Sequence, residues 1–247
     1  MLTLEFEGKM NARKIRGEMG LGDGPIDVFK IFREKNISYT KKPLKSSISG
    51  MFLRKGNISF VLINSSKTKG HQNFTAAHEL YHILFEEGQT GSVCVAGTFE
   101  QKSQSEKKAD YFAANFLVPS ETLELELFKR IGQYNKKLDF PDLLYLEALF
   151  GVSHSVMLIR LQQIGALNED DILRLKKGII NEAVKYGYDI SLYLPTKEDI
   201  TISDYVEKAR ILLEEGIISE GKYEELLIEA GFEDVLLGEE VQEYEDC

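Results

Sequence analysis

Apolar residues recur at changing intervals along the chain, and each change of interval marks an element. Asn11 to Gly20 and Pro25 to Asn36 read as two short helices, because Ile26, Val28, Phe29, Ile31 and Phe32 recur near helical spacing and the run Gly20-Leu21-Gly22-Asp23-Gly24 breaks the two apart. The pattern then becomes strand-like. Gly50 to Arg54 and Ile58 to Asn64 are β-prone runs separated by Lys55-Gly56-Asn57, which predicts a hairpin. Ser65 to Gln72 is polar and reads as a loop. Helical spacing returns in the stretch FTAAHELYHILFEEG, residues 74–88. Ser92 to Gly97 predicts a further short strand, and Ser103 to Leu117 a strong helix that stops at Val118-Pro119, since proline disfavours helical geometry at the residue before it.

Beyond that point the pattern is helical throughout. Residues 143–165 read as helix, Gly151-Val152-Ser153 turn, helix, the outline of a helix-turn-helix. Ile200 to Glu215 and Ser219 to Ala230 have helical spacing, and Glu239 to Cys247 reads as a frayed end. The expected fold class is α+β, a small β-sheet with one prominent helix and C-terminal helical additions. It divides into a core over 1–120, a helix-turn-helix-like packing module over 121–168 and a helical extension over 169–247.

Composition narrows the function classes. At 247 residues and 43% hydrophobic content the chain can bury a sizeable core. No run approaches the roughly 18 apolar residues of a membrane span. Met1-Leu2-Thr3-Leu4-Glu5 lacks the basic and apolar regions of a signal peptide, so a cytoplasmic setting is expected. Cys94 and Cys247 stand far apart without a CxxC pair, which suggests neither a disulfide framework nor a cysteine zinc cluster. The net charge of −10 is uneven: Glu169 to Cys247 holds 22 acidic against 8 basic residues, leaving 18 against 22 for the rest. That acidic third repels nucleic acid; it reads first as a solvated helical surface and second as a surface that attracts a basic partner. The second helix of the helix-turn-helix outline offers one base, Arg160, among Val156, Met157, Leu158, Ile159 and Leu161, which argues against direct DNA reading.

Candidate chemistry sits in His78-Glu79-Leu80-Tyr81-His82. Four residues of helix place His78 and His82 about 40° apart on one face and about 6 Å apart along the axis, close enough to hold one ion. Glu79 falls beside them as a general base for water acidified by that ion. A catalytic zinc usually takes three protein ligands. His71 precedes the helix too closely and His154 is remote, so a carboxylate is the better third ligand, and Glu106 stands 24 residues after His82 near the start of a new helix. Asp110 follows at i+4 on the same face, where it can accept the free N–H of a ligating imidazole. Zinc is the expected metal, although two histidines and a glutamate also accept manganese or another divalent ion.

The pattern HExxH…ExxxD resembles the gluzincin peptidases, which implies a zincin-like core. More specifically, Phe74-Thr75-Ala76-Ala77-His78-Glu79-Leu80-x-His82, followed by Glu106-x-x-Ala109-Asp110-x-Phe112-Ala113-Ala114-x-x-Leu117-Val118-Pro119, resembles the ImmA/IrrE family of metallo-endopeptidases. Gly151-Val152-Ser153 and Arg160-Leu161 are similar to a stretch downstream of that family's core, so the resemblance spans roughly residues 10–168. It implies a cytoplasmic protease that cleaves a helix-turn-helix transcriptional repressor, with His78, His82 and Glu106 as metal ligands and Glu79 as general base. Two departures stand out: Tyr81 replaces a common glycine, where it threatens to crowd a neighbouring segment, and Asp110 replaces a common asparagine.

Other assignments stay open at this point. His154, Tyr145, Tyr81 and Tyr111 are the candidates for donating to an oxyanion, and sequence does not choose among them; for His154, the last histidine of the chain, a helix-capping or packing role is favoured over catalysis. Cys94 reads as a small hydrophobe in a strand, and the acidic extension as a docking region for a basic partner. Two further functions fit the same residues, a metallopeptidase toxin and a metal-stabilised protein that binds a regulator without cutting it.

Overall fold

Two β-branched, aromatic-rich runs start the sheet. Ile48–Lys55 (β2) and Ile58–Asn64 (β3) pair antiparallel around the turn at Gly56, with Phe52 opposite Val61. Phe52, Val61 and Ile63 point to one face and are fully buried there. Ser38–Lys42 (β1) runs parallel to β3, and Gly91–Val95 (β4) runs antiparallel to β2 at the opposite edge. With Ile200–Ile202 (β5) the sheet order is β4-β2-β3-β1-β5, a mixed five-stranded sheet. The computed structural model describes residues 3–56, 58–86, 88, 90–95, 103–132 and 137–229.

Eleven α-helices accompany this sheet among the described residues, so the fold is α+β. Leu4–Glu18 (α1), Val28–Glu34 (α2), Lys69–Phe85 (α3) and Gln104–Leu117 (α4) build the main layer. Ser120–Ile131 (α5), Phe140–Phe150 (α6), His154–Gln163 (α7), Glu169–Leu175 (α8) and Ile179–Lys185 (α9) follow. The central helix α3 is buried continuously from Thr75 to His82, which places it between the sheet on one side and α4 on the other.

Several local expectations need correction. The first helix begins at Leu4, capped by the Thr3 hydroxyl, rather than near Asn11. Its buried stripe is Gly8, Ala12, Ile15 and Arg16, too small and mixed to register as apolar spacing. A Cβ on Gly8 would lie 2.5 Å from Cβ of Tyr111 and 2.9 Å from the Phe112 amide, so the absent side chain is what lets α1 pack on α4. The polar stretch after β3 is a loop only to Thr68, whose side chain caps α3. Residues 200–202 form a strand, not the start of a helix; the helix begins at Tyr205, because Ile200-Thr201-Ile202 is β-branched throughout. Strand β1 escaped the sequence reading, since SYTKK carries too little apolar alternation to signal one.

The helix-turn-helix outline is real in geometry: α6 and α7 meet at 104° across Gly151-Val152-Ser153. Its second helix, however, turns Met157, Leu158, Arg160 and Leu161 into the core. Arg160 donates two hydrogen bonds to the Val118 carbonyl, at 2.9 and 3.1 Å, and one to the Ser120 hydroxyl at 2.9 Å, tying α7 to the corner between α4 and α5. Burial pushes its pKa down to about 10, which leaves it charged at neutral pH.

The chain separates into two compact units, 1–201 and 202–247. In the second, Tyr205–Glu214 (α10) and Glu220–Glu229 (α11) form a helical pair with Ala209 and Leu227 as its buried residues. Gly97, Ala230 and the predicted frayed end from Glu239 to Cys247 lie outside the described residues. Among the described residues no single helix is long and apolar enough to cross a membrane.

Candidate metal centre

Helix α3 delivers His78, Glu79 and His82 to one buried point, with exposures of 1%, 0% and 1%. The first turn of α4 supplies Glu106 across from them, its backbone amide capped by the Ser103 hydroxyl at 3.2 Å. Three distances define the cluster. The Nε2 atoms of His78 and His82 lie 3.1 Å apart, Nε2 of His78 lies 3.2 Å from Oε2 of Glu106, and Nε2 of His82 lies 3.3 Å from Oε1 of the same carboxylate. All three ligand atoms therefore sit within the span that one cation can bridge.

The outer nitrogens explain why the inner ones converge. Nδ1 of His78 is 2.9 Å from Oδ1 of Asp110, and Nδ1 of His82 is 2.8 Å from Oε2 of Glu86. A carboxylate accepts, so each Nδ1 donates and each Nε2 presents its lone pair to the centre. Two lone pairs and a carboxylate edge within 3.3 Å of one another repel unless a positive charge is shared among them. Without metal that charge is a proton. Burial alone would lower the pKa of His78, but the hydrogen bonds to Asp110, Cys94 and Glu106 raise it well above 6.5. Burial likewise opposes ionisation of Glu106, yet its bonds to His78 and His82 hold it far below the usual carboxylate range. This donor set fits a divalent ion in chemistry and spacing.

Neighbouring groups fix the frame. Phe52 stacks on the His82 ring with centroids 5.7 Å apart. Arg54 donates to the backbone carbonyls of Glu86 at 2.8 Å and His82 at 3.3 Å, and also to that of Ile83, placing a cation on the C-terminal end of α3 where the helix dipole favours it. The Ser105 hydroxyl donates to the second oxygen of Glu86. Gly50 in β2 is equally constrained: a Cβ there would lie 2.5 Å from Cγ2 of Thr75 and 3.4 Å from Oε1 of Glu79. The sheet thus presses directly on the helix face that carries the general-base candidate.

The sequence-predicted residues fall into two groups. His78, Glu79, His82, Glu106 and Asp110 come together. His154 is engaged elsewhere: Nδ1 lies 2.7 Å from Oε1 of Glu147 and Nε2 lies 2.8 Å from the Leu175 carbonyl. Both partners are acceptors, so both ring nitrogens donate and none is left for an oxyanion. That engagement agrees with a packing role for His154. Tyr145 donates to Glu126 at 3.0 Å, and Tyr81 packs against Phe85 and Phe112. The aromatic side chain that replaces the common glycine fills this cluster rather than crowding a neighbour.

Two contributors were missed. Glu86 was legible in principle, because it follows His82 at i+4 on the same helical face. Cys94 has the sequence pattern of a strand hydrophobe, but a nitrogen of His78, a carboxylate oxygen of Glu79 and the Cys94 thiol all lie within 4.8 Å of one another. That proximity follows from β4 pairing with β2, Cys94 opposite Gly50, which local sequence does not announce.

Comparison with family models matches residues 33–162, more than half of the chain, to Peptidase M78, described as the IrrE N-terminal-like domain. Comparison with curated proteins gives no match.

Proposed function

The chain belongs to the Peptidase M78 family, the IrrE N-terminal-like peptidases, and from that membership we propose that it is a zinc-dependent endopeptidase with a zincin-like core, cutting a helix-turn-helix transcriptional repressor in the cytoplasm. The single observation that carries the metal-dependent reading is the convergence of His78 Nε2, His82 Nε2 and a Glu106 oxygen on one buried point. The choice of repressor as substrate rests on the ImmA/IrrE resemblance of the two helical motifs.

In this reading His78, His82 and Glu106 hold the ion, and Asp110 and Glu86 keep the two rings in the ligating tautomer. A divalent ion held there supplies Lewis acidity, polarising the scissile carbonyl and acidifying water. Glu79, fully buried and within 4.8 Å of His78, accepts a proton from the attacking water and delivers it to the leaving amine. Burial of the histidines and Glu79 lowers the local dielectric, which strengthens each charge interaction at the reacting carbonyl. Two nitrogens and a carboxylate suit zinc, and manganese, iron or cobalt satisfy the same donors.

The test compares new protein N-termini in cells expressing wild type and Glu79→Gln. A cut within a helix-turn-helix regulator, made by wild type alone, supports the reading. No such cut, or equal relief of repression by the Glu79→Gln variant, overturns it in favour of binding without cleavage.

A further inference from the structure

His78, His82 and Glu106 supply three of the four ligands that a closed zinc site takes. One more ligating side chain stands beside them. The Cys94 thiol, a nitrogen of His78 and a carboxylate oxygen of Glu79 lie within 4.8 Å of one another, and all three residues are buried. Nδ1 of His78 is committed to Asp110, so the hydrogen bond between Cys94 and this ring falls to Nε2, the nitrogen that faces His82 and Glu106.

Strand register brings the thiol there. Cys94 pairs with Gly50 and Ser92 with Phe52, so both β4 side chains lie on the face where Phe52 stacks on the His82 ring, while Val93 between them points away and is exposed. Directly opposed residues carry their Cβ atoms about 4.5–5.5 Å apart. A side chain at Gly50 would therefore stand beside Cys94, and its Cβ would already lie 3.4 Å from Oε1 of Glu79. Glycine leaves that space to the sulfur. Ligands of a tetrahedral zinc lie about 3.3–3.8 Å from one another, given bonds of about 2.0–2.3 Å. The thiol has to close by about 1 Å, which rotation about the Cα–Cβ bond of Cys94 supplies.

We infer that Cys94 is the fourth ligand of the resting site: its sulfur takes the position that the attacking water and the scissile carbonyl need, and it keeps the peptidase latent until it leaves. The inference rests on the peptidase reading above. On ligation the S–H bond gives way to a sulfur–metal bond, the proton passes to solvent, and water is displaced from that position. A thiolate is a softer donor than imidazole or carboxylate, so Cys94 also favours zinc over manganese.

The test is zinc-edge X-ray absorption of the full-length, zinc-loaded protein without substrate, comparing wild type with Cys94→Ala and Cys94→Ser. Wild type is expected to show one sulfur at about 2.3 Å beside nitrogen and oxygen at about 2.0–2.1 Å, and both variants to show nitrogen and oxygen alone. Serine keeps nearly the size of the thiol and keeps the test valid if Cys94→Ala fails to fold. At equal zinc content both variants are expected to cleave a random octapeptide mixture faster than wild type. Zinc bound in wild type without sulfur, or a sulfur that persists in both variants and so belongs to Cys247, overturns the inference while leaving the three-ligand site intact. A wild-type sulfur shell with equal cleavage by all three proteins overturns the latency. That shell with no cleavage by any of them overturns the peptidase reading instead and makes Cys94 the ligand of a closed, non-catalytic site. No zinc in wild type overturns the metal site and the inference together.

Discussion

Asp110 accepts a hydrogen bond from Nδ1 of His78 at 2.9 Å, and that bond turns the opposite nitrogen of the ring toward His82 and Glu106. Removing it frees the ring to rotate and to change tautomer. Asp110→Ala is expected to weaken zinc affinity about 10–100-fold, as measured by competition with a chromogenic chelator. Asp110→Asn retains an accepting oxygen and should stay within a few-fold of wild type. Equal losses in the two variants would mean that charge, not orientation, is what Asp110 contributes.

Glu86 gives the matching prediction for the second ligand. Its bond to Nδ1 of His82 at 2.8 Å is additionally supported by Ser105. Glu86→Ala should lower zinc affinity to a similar extent while the fold survives, and Ser105→Ala should have a smaller effect in the same direction. Unchanged affinity in Glu86→Ala would mean that ring packing against Phe52 and Tyr81, not the hydrogen bond, orients His82.

His154 and Glu147 predict a pH-dependent stability. Burial opposes protonation of His154, but its bonds to Glu147 and to the Leu175 carbonyl outweigh burial and raise its pKa above 6.5. The stabilisation is thus fully present below the unfolded value of about 6.5 and is lost as pH rises through the folded value. His154→Gln should cost about 2–4 kcal/mol at pH 6, because it removes the charged partner of the fully buried Glu147 carboxylate and leaves it the neutral Tyr193 hydroxyl, which donates to it at 2.6 Å. Urea titrations of both proteins from pH 6 to pH 9 should show that gap narrowing. A gap independent of pH would contradict a charged His154.

Arg160 tests the packing of α7. Replacing it by alanine removes its hydrogen bonds to Val118, Ser120 and Gln163 and should destabilise the protein by about 3 kcal/mol. Arg160→Lys should recover little, because a single ammonium cannot reproduce the planar fork that reaches both Val118 and Ser120. Chemical denaturation checks both values, and a near-neutral lysine variant would contradict the geometric argument.

What was legible in the sequence depended on how local its signal is. His78, Glu79 and His82 lie within one turn of helix, and Glu106 with Asp110 repeats that spacing on the next strong helix, so periodicity alone gathered most of the site. Cys94 was not legible, since it reaches His78 only through the register of β4 on β2. The engagement of His154 was hidden for the same reason, as its partners lie 7 and 21 residues away on other elements. Strand β1 and the close crossing at Gly8 carry weak apolar patterns and are specified by tertiary contact.

The central claim is a three-ligand metal site, and elemental analysis of the purified protein tests it most directly. Wild type is predicted to carry about one transition-metal ion per chain, and His82→Ala and Glu106→Ala to lose it while retaining their helical circular dichroism. Full metal content in folded Glu106→Ala, or none in folded wild type after zinc reconstitution, would contradict the account.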